Sequence, residues 1–395
     1  MIEGQSIVCF APGPWDDIWR NRHQIMTRLA RRNKVLWVEP RAYLRPVLRQ
    51  LRRGEIGWRD LRRPLAVPVR ENLWVYRDPV YAPIAGRRLR LGQLTQALRV
   101  RAMHRTMRKL GFGRPLLWLT RYYQADVVGT CDERLVIYHI SDEYSAYAAV
   151  RDPEAVRRAE AELIRRADLV IVTSPALLES KRPLNPHTYL VPNAADVEGF
   201  AKAAADPCVP PGMAALRRPI VGYVGVLNEK IDYELIRAIA LARPDWSIAL
   251  VGPLGLYTQP HKADGLQGLP NVHFLGRVDV SEVPHYIKAC DVCLLPYERN
   301  EWTRNIDSLK LYEYLACGRP VVATDIPAAH GFPGLVHIVR GPDEAIPAIE
   351  AALTEQSPEH IRRRQAAVAE HSWDARVERI SELILEALER TEGRR

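Results

Sequence analysis

A chain of 395 residues, 47% hydrophobic and 26% charged, is long enough for two domains that each bury a core. No run approaches the roughly 20 apolar residues that span a bilayer, and the start MIEGQSIVCFAPG carries Glu3 where a secretion signal would be basic, so the expected compartment is the cytoplasm. The net charge of +9 is uneven: residues 41–109 hold 18 Arg or Lys against four acids, a local +14 that leaves the remainder at −5.

In chain order, Ile7–Phe10 reads as a short buried strand, followed by a polar turn, a helix from about Asp17 to Arg31 and a second strand at Val35–Val38. The basic stretch follows. Its segment RAYLRPVLRQLRRGEIGWRDLRRPL mixes arginines with Tyr43, Leu44, Val47, Leu48, Leu51, Trp58 and Leu61, a composition suited to an anionic membrane surface or a polyanion, with a solvated arginine face as the plain alternative. Strand-like runs recur at Leu116–Leu119, Leu135–Ile140, Leu169–Val172 and 189–191. The Pro- and Ala-rich AADPCVPPGMAALRRP (204–219) then reads as a linker. A second alternating block starts near Pro219: a strand and glycine turn in PIVGYVGVL, a helix over 232–242, strands at 246–251 and 272–275, a helix over 281–289 and a strand at 291–296. Cys290 and Cys293 have half a zinc site's spacing, but they sit inside this last apolar strand and no second pair follows, so no metal is expected. Residues 358–388 are helical, with Ile380, Leu383, Ile384 and Leu388 as an apolar seam.

The stretch SLKLYEYLACGRPVVATDIP (308–327) reads as a helix running directly into a buried parallel strand. Lys310 and Glu313 lie one turn apart on one face, while Leu311, Tyr314 and Leu315 form the apolar stripe. Ser308 suits the N-cap, and the free N–H groups beyond a cap attract anions, so a phosphate can dock there. A solvated surface pair is the bland alternative. The fold class is therefore α/β, with two doubly wound parallel sheets facing across a cleft: a domain over 1–203, a linker over 204–218, a domain over 219–372, and a closing helix over 373–395 expected to pack back on the first domain. Such a cleft, at the carboxyl ends of two sheets, binds small ligands by default.

Four stretches in this order, ADLVIVTSPALL (167–178), VPNAAD (191–196), GYVGVLNEKIDYELI (222–236) and LKLYEYLACGRPVVATDIP, resemble the group 1 glycosyltransferases, family 4, of the GT-B fold, and SWDARVERISELILEAL (372–388) resembles their closing helix. PWDDIWRNRHQIMTRLARRNKVLWVEP and VIYHISDEYSAY look most like a cell-wall polysaccharide branch of teichuronic-acid type. The resemblance implies a retaining transfer of sugar from a nucleotide diphosphate sugar to a saccharide or lipid-linked acceptor, without a cofactor or metal. Glu313 would accept hydrogen bonds from the ribose, and the N–H groups of Ser308 and Leu309, with Lys310, would hold the diphosphate. The family's first glutamate, eight residues before Glu313, is here Asn305, an amide that carries no charge. In the turn at Gly225, Val226 replaces the usual arginine and Lys230 falls five residues after the glycine where six is usual; Arg304 and Lys310 are the other sources of positive charge.

On the acceptor side, the loop after the first strand offers Trp15 and Trp19 for stacking on a sugar and Asp16 and Asp17 for its hydroxyls, although Asp17 can instead cap the helix and Trp19 can be core. His139 and Asp142, at the end of the strand 135–140, are candidates to touch or deprotonate the acceptor, a buried structural histidine being the alternative. Glu298, Glu301 and Trp302 fall in the loop before the donor helix. A nucleotide-sugar epimerase and a polyanion-binding protein without catalysis remain as other readings; no nucleic-acid motif is present, and contact with the inner face of a membrane through 41–109 is the expected peripheral partner.

Overall fold

The computed structural model describes residues 1–57, 59–60, 63–84 and 90–393; Trp58 and Leu61 lie outside the described residues. The first domain holds an eight-stranded sheet: β1 (Ser6–Phe10), β2 (Lys34–Val38), β3 (Ala66–Arg70), β4 (Leu73–Tyr76), β5 (Leu116–Leu119), β6 (Leu135–Ile140), β7 (Leu169–Val172) and β8 (Thr188–Leu190), in the order β3-β4-β2-β1-β5-β6-β7-β8. All neighbours are parallel except β3 and β4. The second sheet has six parallel strands, β9 (Ile220–Val224), β10 (Ser247–Val251), β11 (Val272–Gly276), β12 (Val292–Leu295), β13 (Val321–Thr324) and β14 (Val336–Val339), in the order β11-β10-β9-β12-β13-β14.

Side chains alternate across a strand, and here both faces are covered. Ile7 and Cys9 of β1, with Val35 and Trp37 of β2, enter one core; Val8 and Phe10, with Leu36 and Val38, enter the other. This double burial explains why the central strands read as unbroken apolar runs. In each sheet the strand order reverses once, between β1 and β5 and between β9 and β12. Loops leaving neighbouring strands at such a point diverge and leave a crevice at the carboxyl ends.

Two expectations shift. The first helix spans Asn21–Leu29, with Arg20 in extended conformation before it, so Asp17 stands four residues outside and does not cap it. The segment 204–218 contains a short helix, Pro211–Ala214, that buries Met213 in the second core.

The closing helix Trp373–Glu392 crosses back to the first domain. Ser372 caps it by accepting from the Ala375 N–H at 3.2 Å, and Trp373, Val377, Ile380, Leu383, Ile384, Ala387 and Leu388 join the core that contains Cys9 and Trp37. Arg28 Nε and Arg31 Nη1 reach Asp374 at 3.0 and 2.6 Å, at the negative-favouring N-terminal turn. Among the described residues no helix is long and apolar enough to cross a membrane. Ile384 is fully buried in this seam, so Ile384→Ala should cost about 2–5 kcal/mol of stability, read as a lower urea midpoint; an unchanged midpoint would mean that the helix does not hold the domain together.

Candidate functional site

The loops leaving β1, β5, β9 and β12 open on one interdomain cavity of about 1380 Å³. Three polar ties hold its walls together. Asn193, from the VPNAAD stretch, donates its backbone N–H to the Asp307 carboxylate at 2.5 Å and its side-chain amide to the Asp307 carbonyl at 2.7 Å. Trp302 Nε1 donates to Asp142 at 3.2 Å, and Arg277 donates to the Asp16 carbonyl at 3.3 Å.

On the second domain's wall, the helix Leu309–Ala316 begins at Ser308. The Ser308 hydroxyl does not cap the helix and lies 3.4 Å from the Tyr297 hydroxyl, which leaves the first-turn N–H groups without a side-chain acceptor beside the cavity. Lys310 follows, its ammonium 5.5 Å from the Tyr223 ring centre. Gly225 explains how Lys310 fits. With φ at +154° it occupies backbone space open to glycine, and a Cβ there would overlap the Lys310 side chain. Gly252, at φ +136°, packs just as closely on the Gly225 carbonyl.

Lys230, despite its shifted spacing, reaches the same cavity, 4.6 Å from the Tyr297 ring centre. Burial lowers its pKa to about 8, opposed by Asp142 and reinforced by Arg20. Lys310 is also lowered, first by burial, with Lys230 adding like-charge repulsion. Glu313 lines the cavity and is pushed up to about 7 by burial, against the pull of Lys310. Its carboxyl therefore keeps a proton that the unfolded chain loses near 4.5, and this group's contribution to stability falls as pH climbs between those values. Asp307 is raised to about 6 by burial while it accepts from Asn193 and from the Tyr312 hydroxyl.

Of the expected donor residues, Gly225, Lys230, Ser308, Leu309, Lys310 and Glu313 meet at the cavity. Asn305 and Arg304 do not line it. Asn305 is buried, its amide donating to the Glu301 carbonyl at 2.8 Å and its carbonyl accepting from Ser174 at 2.8 Å, while Arg304 ends the short helix Glu301–Arg304 and faces solvent. Of the cations expected on the donor side, Lys230 and Lys310 thus line the cavity and Arg304 does not.

On the first domain's wall, Asp16, Asp17, Trp19 and Asp142 line the cavity. Trp15 does not: it is buried against Trp37, His23 and Trp19. Trp19 stacks on His23 at 5.5 Å and carries the Arg70 guanidinium 5.3 Å from its ring centre. His139 is a core histidine packed edge-on to Trp118 at 5.7 Å; burial and the nearby Arg22 lower its pKa to about 4, so it is neutral and does not reach the cavity. Asp142 does, but both its oxygens already accept, from Tyr147 at 2.9 Å and from Trp302.

Arg20, Arg22 and Arg121 also line the cavity and were not singled out from the sequence. Two of them sit within the quoted loop and helix start, and the signal that finds them is topological: they follow β1 and β5, the strands on either side of the reversal. Cys290 and Cys293 are buried in the second core, and among the described residues no group of three acidic, His or Cys side chains could hold a metal.

Residues 218–355, which carry the lysines, Gly225 and Glu313, match the family model described as Glycosyl transferases group 1. The chain resembles that family and has the GT-B fold. A putative teichuronic acid biosynthesis glycosyltransferase, TuaH, of Bacillus subtilis (strain 168) is 30% identical over 251 residues, 59% of this chain and 62% of that protein, so the match spans less than two thirds of that relative's length. Among solved structures, sucrose-phosphate synthase from Thermosynechococcus elongatus aligns with a TM-score of 0.69 at 20% identity, covering 97% of this chain and 98% of its own. Anabaena HepE in complex with UDP-glucose aligns with a TM-score of 0.65 at 18% identity, covering 96% and 99%. At such identities these two likenesses speak to fold.

Replacing Gly225 with Ala should expel Lys310 from its seat and weaken binding of nucleoside diphosphates by about tenfold or more, while the far-UV dichroism stays unchanged. Unaltered binding by this variant in calorimetry would show that Lys310 takes no part.

Proposed function

We propose that the protein is a retaining glycosyltransferase that moves a sugar from a nucleoside diphosphate sugar to a saccharide or lipid-linked acceptor in cell-surface polysaccharide assembly. One observation carries the reading: a helix N-terminus, two lysines that form no ion pair among the described residues and a half-buried carboxyl group open together on one cleft at the carboxyl ends of both sheets. A polyanion-binding site has no use for Glu313; a ribose has.

In this reading the diphosphate lies on the Ser308–Lys310 turn with Lys230 beside it, and the charge that develops on the leaving group as the sugar's C1–O bond breaks is met by these groups. Glu313 accepts from the ribose hydroxyls. The acceptor oxygen forms the new bond on the face the leaving group departs from. Its proton passes to the departing phosphate oxygen, since both Asp142 oxygens are engaged and His139 is buried away. No resident cofactor or metal enters this scheme. The printed partners of HepE, UDP-glucose, and the printed role of TuaH, teichuronic acid biosynthesis, support a uridine nucleotide and a cell-wall product as first candidates.

Peripheral membrane contact belongs to the same proposal. The helix Leu44–Arg52 exposes Leu48 and Leu51, 43% and 49% accessible, among exposed Arg45, Arg49 and Arg52, and Leu94 on the helix Arg90–Lys109 is 57% accessible. Apolar side chains among arginines suit an anionic lipid surface. Sedimentation with vesicles containing phosphatidylglycerol should retain the protein at low salt and lose it in Leu48→Asp/Leu51→Asp; retention indifferent to lipid charge, salt and these changes would remove the membrane from the account.

The donor reading is tested by pH. Ribose hydroxyls donate best to an ionised carboxylate, so binding is favoured when Glu313 gives up its proton, and affinity for a nucleoside diphosphate sugar should rise as pH passes upward through about 7 and fall again above about 8, where Lys230 loses its charge. Glu313→Gln should flatten that rise and Glu313→Ala should abolish transfer. A rise that persists in Glu313→Gln would place the ribose elsewhere.

A further inference from the structure

On the wall opposite the lysines, Arg22 is only 6% exposed, yet its Nε has no hydrogen-bond partner, and among the described residues no carboxylate lies within ion-pairing distance of its guanidinium. A buried cation without a counter-charge costs stability, and folding alone gives no reason to keep one. Arg121, from the loop after β5, is held by the Thr120 carbonyl at 2.8 Å and the Tyr144 hydroxyl at 2.9 Å, with the Tyr144 ring centre 4.3 Å from its guanidinium carbon. It too makes no ion pair among the described residues. The two arginines are close enough that each belongs to one field: Arg22 is lowered to about 10 by burial, then by Arg20 and Arg121.

Both arginines line the cavity of about 1380 Å³, and that cavity gives an anion its room. Gly13 ends the run after β1, and a Cβ there would stand 4.0 Å from Arg22 Nη2 and 3.1 Å from Asp17 Oδ2. Asp17 lines the same cavity without pairing with Arg22, and the Asp142 oxygens are taken by Tyr147 and Trp302. Arg22 and Arg121 belong to the first domain and Lys230 and Lys310 to the second, so the cavity carries cationic groups on both walls, with Arg20 close enough to depress Arg22 and Lys230 alike. In the donor reading above, the diphosphate takes the lysine side. Planar guanidinium forks suit a second phosphate.

We propose that Arg22 and Arg121 form a subsite for a phosphate group carried by the acceptor. This rests on reading the cavity as a transfer site, with the donor on the opposite wall. The phosphate can belong to a soluble sugar phosphate or to a polyprenyl phosphate linkage; the recognising chemistry is the same.

The test titrates the full chain calorimetrically with inorganic phosphate, alone and after saturation with UDP. Phosphate should still bind beside UDP, should weaken about tenfold or more in Arg121→Gln, and should be unaffected by Glu313→Ala. Complete displacement of phosphate by UDP, or undiminished binding in Arg121→Gln, overturns the subsite. Arg22→Met keeps the test falsifiable on folding grounds: removing an unpaired buried charge should raise the melting temperature of the free protein while phosphate binding is lost, whereas a lower melting temperature would give Arg22 a structural role and overturn its part. Glucose 6-phosphate and phosphatidylcholine vesicles doped with polyprenyl phosphate then separate the two sources. Whichever binds more tightly than inorganic phosphate in an Arg121-dependent way identifies the acceptor; neither doing so contradicts the claim that the acceptor carries the phosphate. If UDP itself fails to bind, the transfer reading falls while the phosphate result is still read on its own.

Discussion

Uncompensated positive charge enclosed between two sheets is the constraint around which this structure is arranged. Lys230, Lys310, Arg22 and Arg121 all line one cavity, and among the described residues none forms an ion pair with a carboxylate. Holding like charges in a half-enclosed space is unfavourable, so the surrounding fold must fix them rigidly. It does so with aromatic faces: Tyr223 beneath Lys310, Tyr297 beneath Lys230 and Tyr144 beneath Arg121. Each ring offers a weakly negative surface without a carboxylate that would compete with an anionic ligand.

Topology brings these groups together. Each sheet reverses its strand order once, and the segments that follow the four strands at the reversals supply Arg22, Arg121, Gly225 and Tyr297. Close backbone approach then matters locally: Gly225 and Gly252 lie against each other where β9 and β10 end, and only that approach leaves the space in which Lys310 lies. Across the cleft, Asn193 grips Asp307 immediately before the helix Leu309–Ala316, so the helix start is fixed to the first domain, and the closing helix reinforces the same junction when Arg376 Nε donates to the Asn193 carbonyl at 3.3 Å.

The architecture was largely legible because parallel strands buried on both faces announce themselves as apolar runs, as in Leu135–Ile140 and Val321–Thr324. β3 escaped because Ala66–Arg70 is an exposed edge strand containing Pro68 and three further accessible side chains, a pattern closer to loop than to core; β4, an apolar LWVY run, is masked by the arginine-rich stretch around it. The first helix starts four residues later and ends two residues earlier than its sequence pattern suggests, because Asp16 and Asp17 look like N-terminal residues, whereas residues 16–20 wall the cavity. Glu313 and Lys310 were readable from helical spacing. Asn305 and His139 were misassigned for one reason: sequence position gives the strand or helix but not which way the side chain turns, and both turn inward. Arg22 and Arg121 were invisible in a chain this rich in arginine until the strand order showed which two lie at the reversal.

The most direct test of this account is a crystal structure of the protein with a nucleoside diphosphate sugar. The diphosphate should lie against the Leu309 and Lys310 N–H groups with both lysine ammonium groups within hydrogen-bond reach, and the ribose hydroxyls on Glu313. A diphosphate bound instead at Arg22 and Arg121, with Lys310 still lying unliganded over Tyr223, would contradict it.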